Sequence, residues 1–199
     1  MNNKAMYNLT YGLFICTAKD ENKDNGCIVN TVSQVNSSNR VVVSINKNNL
    51  THDMILKTKE FNVSILTEKS SFDTYKHWGF QSGKDVDKCI GIEYERSDNG
   101  IIYITNETNA YLSCKVVQTV DLDSHTLFIA DVCDCQILSE DPSVTYAYYQ
   151  KNIKQKPNTT KKKGWICTVC GYIYEGDILP DDFICPWCKH GASDFKPIE

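Results

Sequence analysis

The chain has 199 residues, 41% of them apolar and 23% charged, with a formal net charge of −4. That is enough for one medium domain and one small one, and no apolar run reaches the ~20 residues of a membrane span. The acidic balance argues against nucleic acid, which needs a cationic face. With no signal-peptide pattern either, a cytoplasmic protein without a membrane partner is expected.

Residues 6–18 and 26–35 alternate apolar and polar positions and are rich in β-branched and aromatic types. The polar stretch 20–26 between them has turn composition, so a β-hairpin is predicted. Residues 40–46 give a third strand. Residues 51–60 predict a short helix starting at Thr51 or Asp53, and 61–67 a strand. Residues 70–80 predict a second helix, capped by Ser70 or Ser71, with Phe72, Tyr75 and Trp78 or Gly79 on one side. From 91 to 138 the pattern is mostly strand, at 101–105, 111–120 and 126–138, with a turn at 121–124. Strands outnumber helices, no βαβ alternation appears and no G-x-G-x-x-G occurs. A mainly β fold is expected, a closed or partly open antiparallel barrel over residues 1–150.

Residues 151–164 hold six lysines, no acid and almost nothing apolar. They read as a flexible linker spanning roughly 20 Å, from ~5–6 Å × √n. The bodies on either side, 1–150 and 165–199, are both acidic, so Lys161, Lys162 and Lys163 are also candidates for holding the second body to the first.

Four of the ten cysteines stand as Cys167-x2-Cys170-x14-Cys185-x2-Cys188. Two residues between thiols let each pair grip one ion from a tight turn, and two such turns make a tetrahedral four-sulfur set suited to zinc or a single iron. A body of 35 residues has too small a core to stand without the metal's contribution. Cys133 and Cys135 share one face of a strand. With Cys16, Cys27, Cys89 and Cys114 they read as packing or incidental residues.

The run Cys167-Thr-Val-Cys-Gly-Tyr-Ile-Tyr-Glu-Gly-Asp, followed by Leu179-Pro-Asp-Asp-Phe-Ile-Cys-Pro-Trp-Cys188, resembles rubredoxin. The resemblance implies one iron ion on Cys167, Cys170, Cys185 and Cys188. It also implies a turn made possible by Gly171 and an apolar cover of Trp165, Tyr172, Tyr174, Phe183 and Phe195. Two features depart from the pattern: the loop between the pairs is short, and Lys189 stands where glycine is usual, a cost of about 1 kcal/mol if φ is positive there. A structural zinc ribbon is the competing reading.

The stretches 11–17, 26–35, 43–52 and 61–66 resemble, in order and spacing, the flavin reductase-like FMN-binding split barrel. Joined to the tail, they resemble the high-molecular-weight rubredoxins of anaerobic bacteria. The resemblance implies that Asn30, Thr31, Val32 and Ser33 line the isoalloxazine and ribityl chain. It gives the phosphate to Asn46, Lys47, Asn49, Thr51 and His52, with Thr51 at a helix start, where free N–H groups favour an anion. An ordinary helix cap at Thr51 and a surface histidine at His52 would leave the same trace. The segment 77–88 resembles a family segment beside the flavin, which adds Gly79, Phe80, Ser82, Lys84 and Lys88. Tyr146, Tyr148 and Tyr149 read as core or dimer contact ahead of flavin stacking.

The implied activity passes electrons from NADH or NADPH through FMN to the iron and on to a partner such as a flavodiiron NO or O2 reductase. A homodimer is expected, and no acid–base catalytic residue. Two other functions fit the same residues: a reductase that releases free reduced flavin, with the tail structural, and a non-catalytic electron carrier reduced by another protein.

Overall fold

The structure, a computed structural model, describes residues 3–154, 163–168, 170–186 and 190–198. Cys188, Lys189, Lys161 and Lys162 lie outside the described residues. So does most of the expected linker.

Seven antiparallel strands form the main sheet: β1 (Phe14–Asp20), β2 (Lys23–Val29), β3 (Val32–Gln34), β4 (Arg40–Asn46), β5 (Glu60–Leu66), β8 (Thr108–Leu122) and β9 (His125–Ile137). Their order is β2-β1-β5-β8-β9-β4-β3. A two-stranded ribbon, β6 (Tyr94–Arg96) and β7 (Ile102–Ile104), forms a separate sheet, tied to the first where Thr17 of β1 donates to Ile102 O. Cys27 and Val29 from one edge share a buried core with Val41, Val43 and Ile45 near the other, together with Phe61, Val63 and Phe128. Edges that share a core have curled toward each other, so the sheet is a partly open barrel, as the strand count predicts. The run expected as one strand over 26–35 breaks at Asn30. Its two halves, β2 and β3, then lie at opposite ends of the sheet order.

Helix α1 (Leu50–Thr58) plugs the barrel with Met54 and Ile55, both buried. Its N-cap is Asn49, ahead of the expected starts at Thr51 or Asp53, and the Asn49 side chain makes no capping hydrogen bond. Helix α2 (Phe72–Gly79) is capped by Ser71, whose Oγ accepts from the Thr74 N–H. Phe72, Tyr75 and Trp78 form its buried face, as the spacing predicts. A second core gathers these with Leu13, Ile15, Leu66, Ile102 and Tyr149. The N-terminal residues 6–8, expected as strand, belong to a 3₁₀ turn (Asn3–Asn8) held by local bonds such as Leu9 N–H to Met6 O. After β9, α3 (Tyr146–Tyr148) runs into a π-helical turn, Tyr149–Ile153.

The C-terminal module is a three-stranded sheet, β11-β10-β12, with β10 Trp165–Cys167, β11 Ile173–Tyr174 and β12 Phe195–Pro197. Among the described residues no helix is long and apolar enough to cross a membrane.

Candidate functional site

Two adjoining cavities, of about 420 and 320 Å³, form one trough beside α1 and α2. Asn46, Asn49, Gly79, Phe80 and His190 line both. This is the size range of a small-molecule site. The first cavity is polar at its base, where Asn25, Cys27, Thr51, Ser82 and Lys88 face it. The second is more apolar, with Leu13, Ile28, Val29, Tyr75, Tyr146 and Tyr149 in its wall beside Asn30.

Asn25 is 2% exposed. Its Nδ2 donates to Thr51 Oγ1 at 2.9 Å, while its Oδ1 accepts no hydrogen bond among the described residues. A buried acceptor without a donor costs free energy, so this oxygen suits a ligand's N–H or O–H. Gly83 permits the arrangement, since a Cβ there would sit 2.1 Å from that Oδ1. Lys88 is also buried. Its Nζ donates to Gly26 O at 2.9 Å and Trp78 O at 2.8 Å, both neutral carbonyls. Burial therefore pushes its pKa down, against smaller opposing effects of the Cys27 and Cys89 thiols. A buried ammonium on neutral acceptors favours an anion in the cavity. The start of α1 adds to this preference: Asn49, Leu50 and Thr51 line the trough, and the first-turn N–H groups have no side-chain cap.

Of the residues expected around a flavin, the trough gathers Asn30, Asn46, Asn49, Thr51, Gly79, Phe80, Ser82 and Lys88. Val32 and Ser33 line a different cavity, of about 340 Å³, with Phe14, Arg40 and Leu112. Thr31 donates to Asn30 Oδ1 at 3.2 Å. Lys47 pairs with Asp121 at 2.8 Å. His52 is buried between Thr126 Oγ1 (2.9 Å) and Asp53 Oδ1 (3.0 Å). Lys84 Nζ stands 3.6 Å from Asp53. Asn25, Cys27, Tyr146, Tyr149 and His190 were not singled out for this site by sequence reasoning. Asn25 falls in the stretch 20–26 expected as a polar turn, and only the structure shows it buried. The tyrosines were visible only as an aromatic cluster.

In the C-terminal module, Cys167, Cys170 and Cys185 are buried, and their sulfurs all lie within 4.8 Å of one another. Cys170 Sγ and Cys185 Sγ are 3.4 Å apart. A disulfide needs ~2.05 Å, whereas sulfurs at ~2.3 Å from one tetrahedral ion lie roughly 3.8 Å apart. The donor set therefore fits a metal. Gly171 has φ 83, and its N–H donates to Cys167 O at 2.9 Å, which forms the first turn. Cys185 N–H donates to His190 O at 2.8 Å in the second. Trp165, Tyr172, Tyr174, Phe183 and Phe195 cover the sulfurs, as expected.

The module sits against the barrel. Phe80 packs into the clusters of both bodies. His190 lines the trough. Lys154 Nζ donates to Thr168 O at 3.1 Å. Burial raises the Tyr149 hydroxyl pKa, with further contributions from Tyr146, Tyr75 and Cys170.

Residues 6–157 match the flavin reductase like domain, and residues 165–196 match the rubrerythrin, rubredoxin-like domain. A high molecular weight rubredoxin of Moorella thermoacetica is 36% identical over 100% of both chains. A ferric-chelate reductase (NAD(P)H) of Archaeoglobus fulgidus is 32% identical, over 80% of this chain and 95% of its own. Among solved structures, flavoredoxin of Methanosarcina acetivorans shares the fold, with a TM-score of 0.61 and 23% identity over 68% of this chain and 72% of its own. The chain thus belongs to the flavin reductase like family, in the form joined to a rubredoxin-like domain, that of the high molecular weight rubredoxins.

Proposed function

We propose that the chain is an oxidoreductase that takes electrons from NADH or NADPH into FMN held in the trough. They leave through one iron ion on Cys167, Cys170, Cys185 and Cys188. The observation that carries this reading is that one residue, Phe80, is packed into both the trough side and the cysteine cluster. Two redox sites joined in one chain make a relay.

The trough fits a flavin by its own chemistry. Asn25 Oδ1 lacks a donor, and Lys88 is a buried cation on neutral acceptors. In this reading Asn46, Asn49, Thr51, Ser82 and Lys88 hold the polar end, with the uncapped start of α1 favouring a phosphate. Asn30, Phe80, Tyr146 and Tyr149 flank the ring. His52 acts at one remove, tying α1 to β9 through Thr126. Lys84 steadies α1 through Asp53. Thr31, Val32, Ser33 and Lys47 are assigned supporting roles outside the trough. Bound flavin divides a two-electron hydride into single electrons, and a four-thiolate iron accepts one at a time. The chain's residues bind, orient and exclude water, so no acid–base group is assigned.

The reading takes 1–150 as the flavin domain, 151–164 as the linker and 165–199 as the metal module. The module carries six acidic and two basic residues. A partner with a basic docking face, such as a flavodiiron protein, suits that surface. A homodimer is part of the proposal.

The test is the visible spectrum of protein grown anaerobically with iron, together with metal analysis and chromatography of the released flavin. Thiolate-to-iron(III) bands over a flavin spectrum, with FMN released, support the reading. A colourless protein with stoichiometric zinc overturns the iron centre, and a protein that retains no flavin overturns the trough assignment.

A further inference from the structure

Phe80 follows directly on α2 and is half-buried. One side of its ring meets Phe72 edge-on, with centroids 5.9 Å apart. The ring also packs onto the C-terminal cluster of Cys167, Cys170, Cys185, Leu179 and Phe195. Its backbone position is fixed by the two residues before it. Trp78, two residues earlier, is buried against Gly26, where a Cβ would sit 2.8 Å from the indole. Gly79 lies so close to Ile28 that a Cβ there would be 3.2 Å from its Cγ1. The side chain at position 80 is therefore presented from a rigid platform.

Other contacts also join the bodies: His190 lines the trough beside Tyr149 and Gln150. Lys154 to Thr168 is an exposed hydrogen bond. The cavity of about 760 Å³ between Tyr11, Tyr146 and Gln150 on one side and Thr168 and Asp194 on the other shows that the seam is not tightly packed there. Attraction between the lysine-rich stretch and the acidic module is screened by salt. An apolar aromatic contact is not.

We infer that Phe80 is a positioning residue that seats the C-terminal module on the end of α2, so that the trough and the cysteine set of the same chain stand side by side. Among the described residues the apolar part of the seating centres on this ring, so it persists at high ionic strength and fails when the ring is removed. Its functional meaning, a relay within one chain, rests on the proposed function. The seating itself does not.

The test uses the full chain loaded with zinc, which four thiolates accept and which carries no electrons. Backbone 15N relaxation gives separate rotational correlation times for the barrel and the module. The expected result is one shared correlation time, unchanged at about 1 M salt, where the screening length is about 3 Å. In Phe80→Ala the module's correlation time falls severalfold while the barrel's amide fingerprint keeps its pattern. Phe80→Leu, which retains apolar bulk, restores most of the coupling. Independent tumbling in the unaltered chain, release by salt, or undisturbed coupling in Phe80→Ala would each overturn the inference. If Phe80→Ala does not fold, the unaltered chain decides: NOEs from the Phe80 ring to module side chains support the seating, and their absence overturns it. Failure of the proposed function would appear elsewhere, as missing flavin or iron bands, so the two can be told apart.

Discussion

At the scale of single residues, the trough depends on groups whose polarity the protein itself leaves uncompensated. Asn25 is held by Thr51 and shielded by Gly83. Gly83→Ala must push the Asn25 amide aside, because the added Cβ would meet both its oxygen and its nitrogen. One ligand hydrogen bond lost predicts about tenfold weaker FMN binding, or ~1.4 kcal/mol, with the fold retained. A fluorescence titration measures it, and unchanged affinity would remove Asn25 from the site. Lys88 predicts a pH effect. Burial depresses its pKa in the folded chain, so between that value and the ordinary lysine value of ~10.4 the unfolded chain binds more protons. Stability of the flavin-free protein therefore rises, through Lys88, as pH climbs across this window. Lys88→Met should remove that rise. Parallel urea midpoints for the two proteins against pH would contradict it.

At the scale of elements, α2 is the part on which the trough and the module seam both depend. Trp78 is 2% exposed and fills the space over Gly26. Trp78→Ala should cost ~3–5 kcal/mol, read as a fall in urea midpoint, and loss of less than ~1 kcal/mol would mean α2 is not anchored there. The same helix shows what the sequence makes legible. Its cap and its one-sided apolar spacing are local signals, and β4, with burial alternating along 40–46, is another. The break between β2 and β3 was not legible, because the period of 2 runs on through Asn30 and only sheet closure parts the halves. Asn49, Thr51 and Asp53 are all cap-type residues, so the sequence alone does not choose among them as the start of α1. The trough was half legible for a related reason. Residues in a contiguous polar segment, such as Asn46, Asn49 and Thr51, could be grouped from the sequence. Tyr146, Tyr149 and His190 reach the trough only through tertiary packing from the far end of the chain.

At the scale of the whole molecule, the two bodies differ in what holds them together. The barrel has two extensive apolar cores, whereas the module's core is largely its own cysteines, with Leu179 and Phe195. Chelating the metal should therefore unfold the module and leave the barrel intact. Circular dichroism with amide exchange would show protection lost in 163–198 and kept in β1, β5 and β8. Global unfolding on chelation would contradict this. The relay itself is tested most directly by anaerobic stopped-flow mixing of the purified protein with NADH, or with NADPH, following flavin and thiolate-iron bands together. The account predicts that the flavin band bleaches first and the iron band follows at a rate independent of protein concentration. Iron that stays oxidised while the flavin is reduced would contradict it.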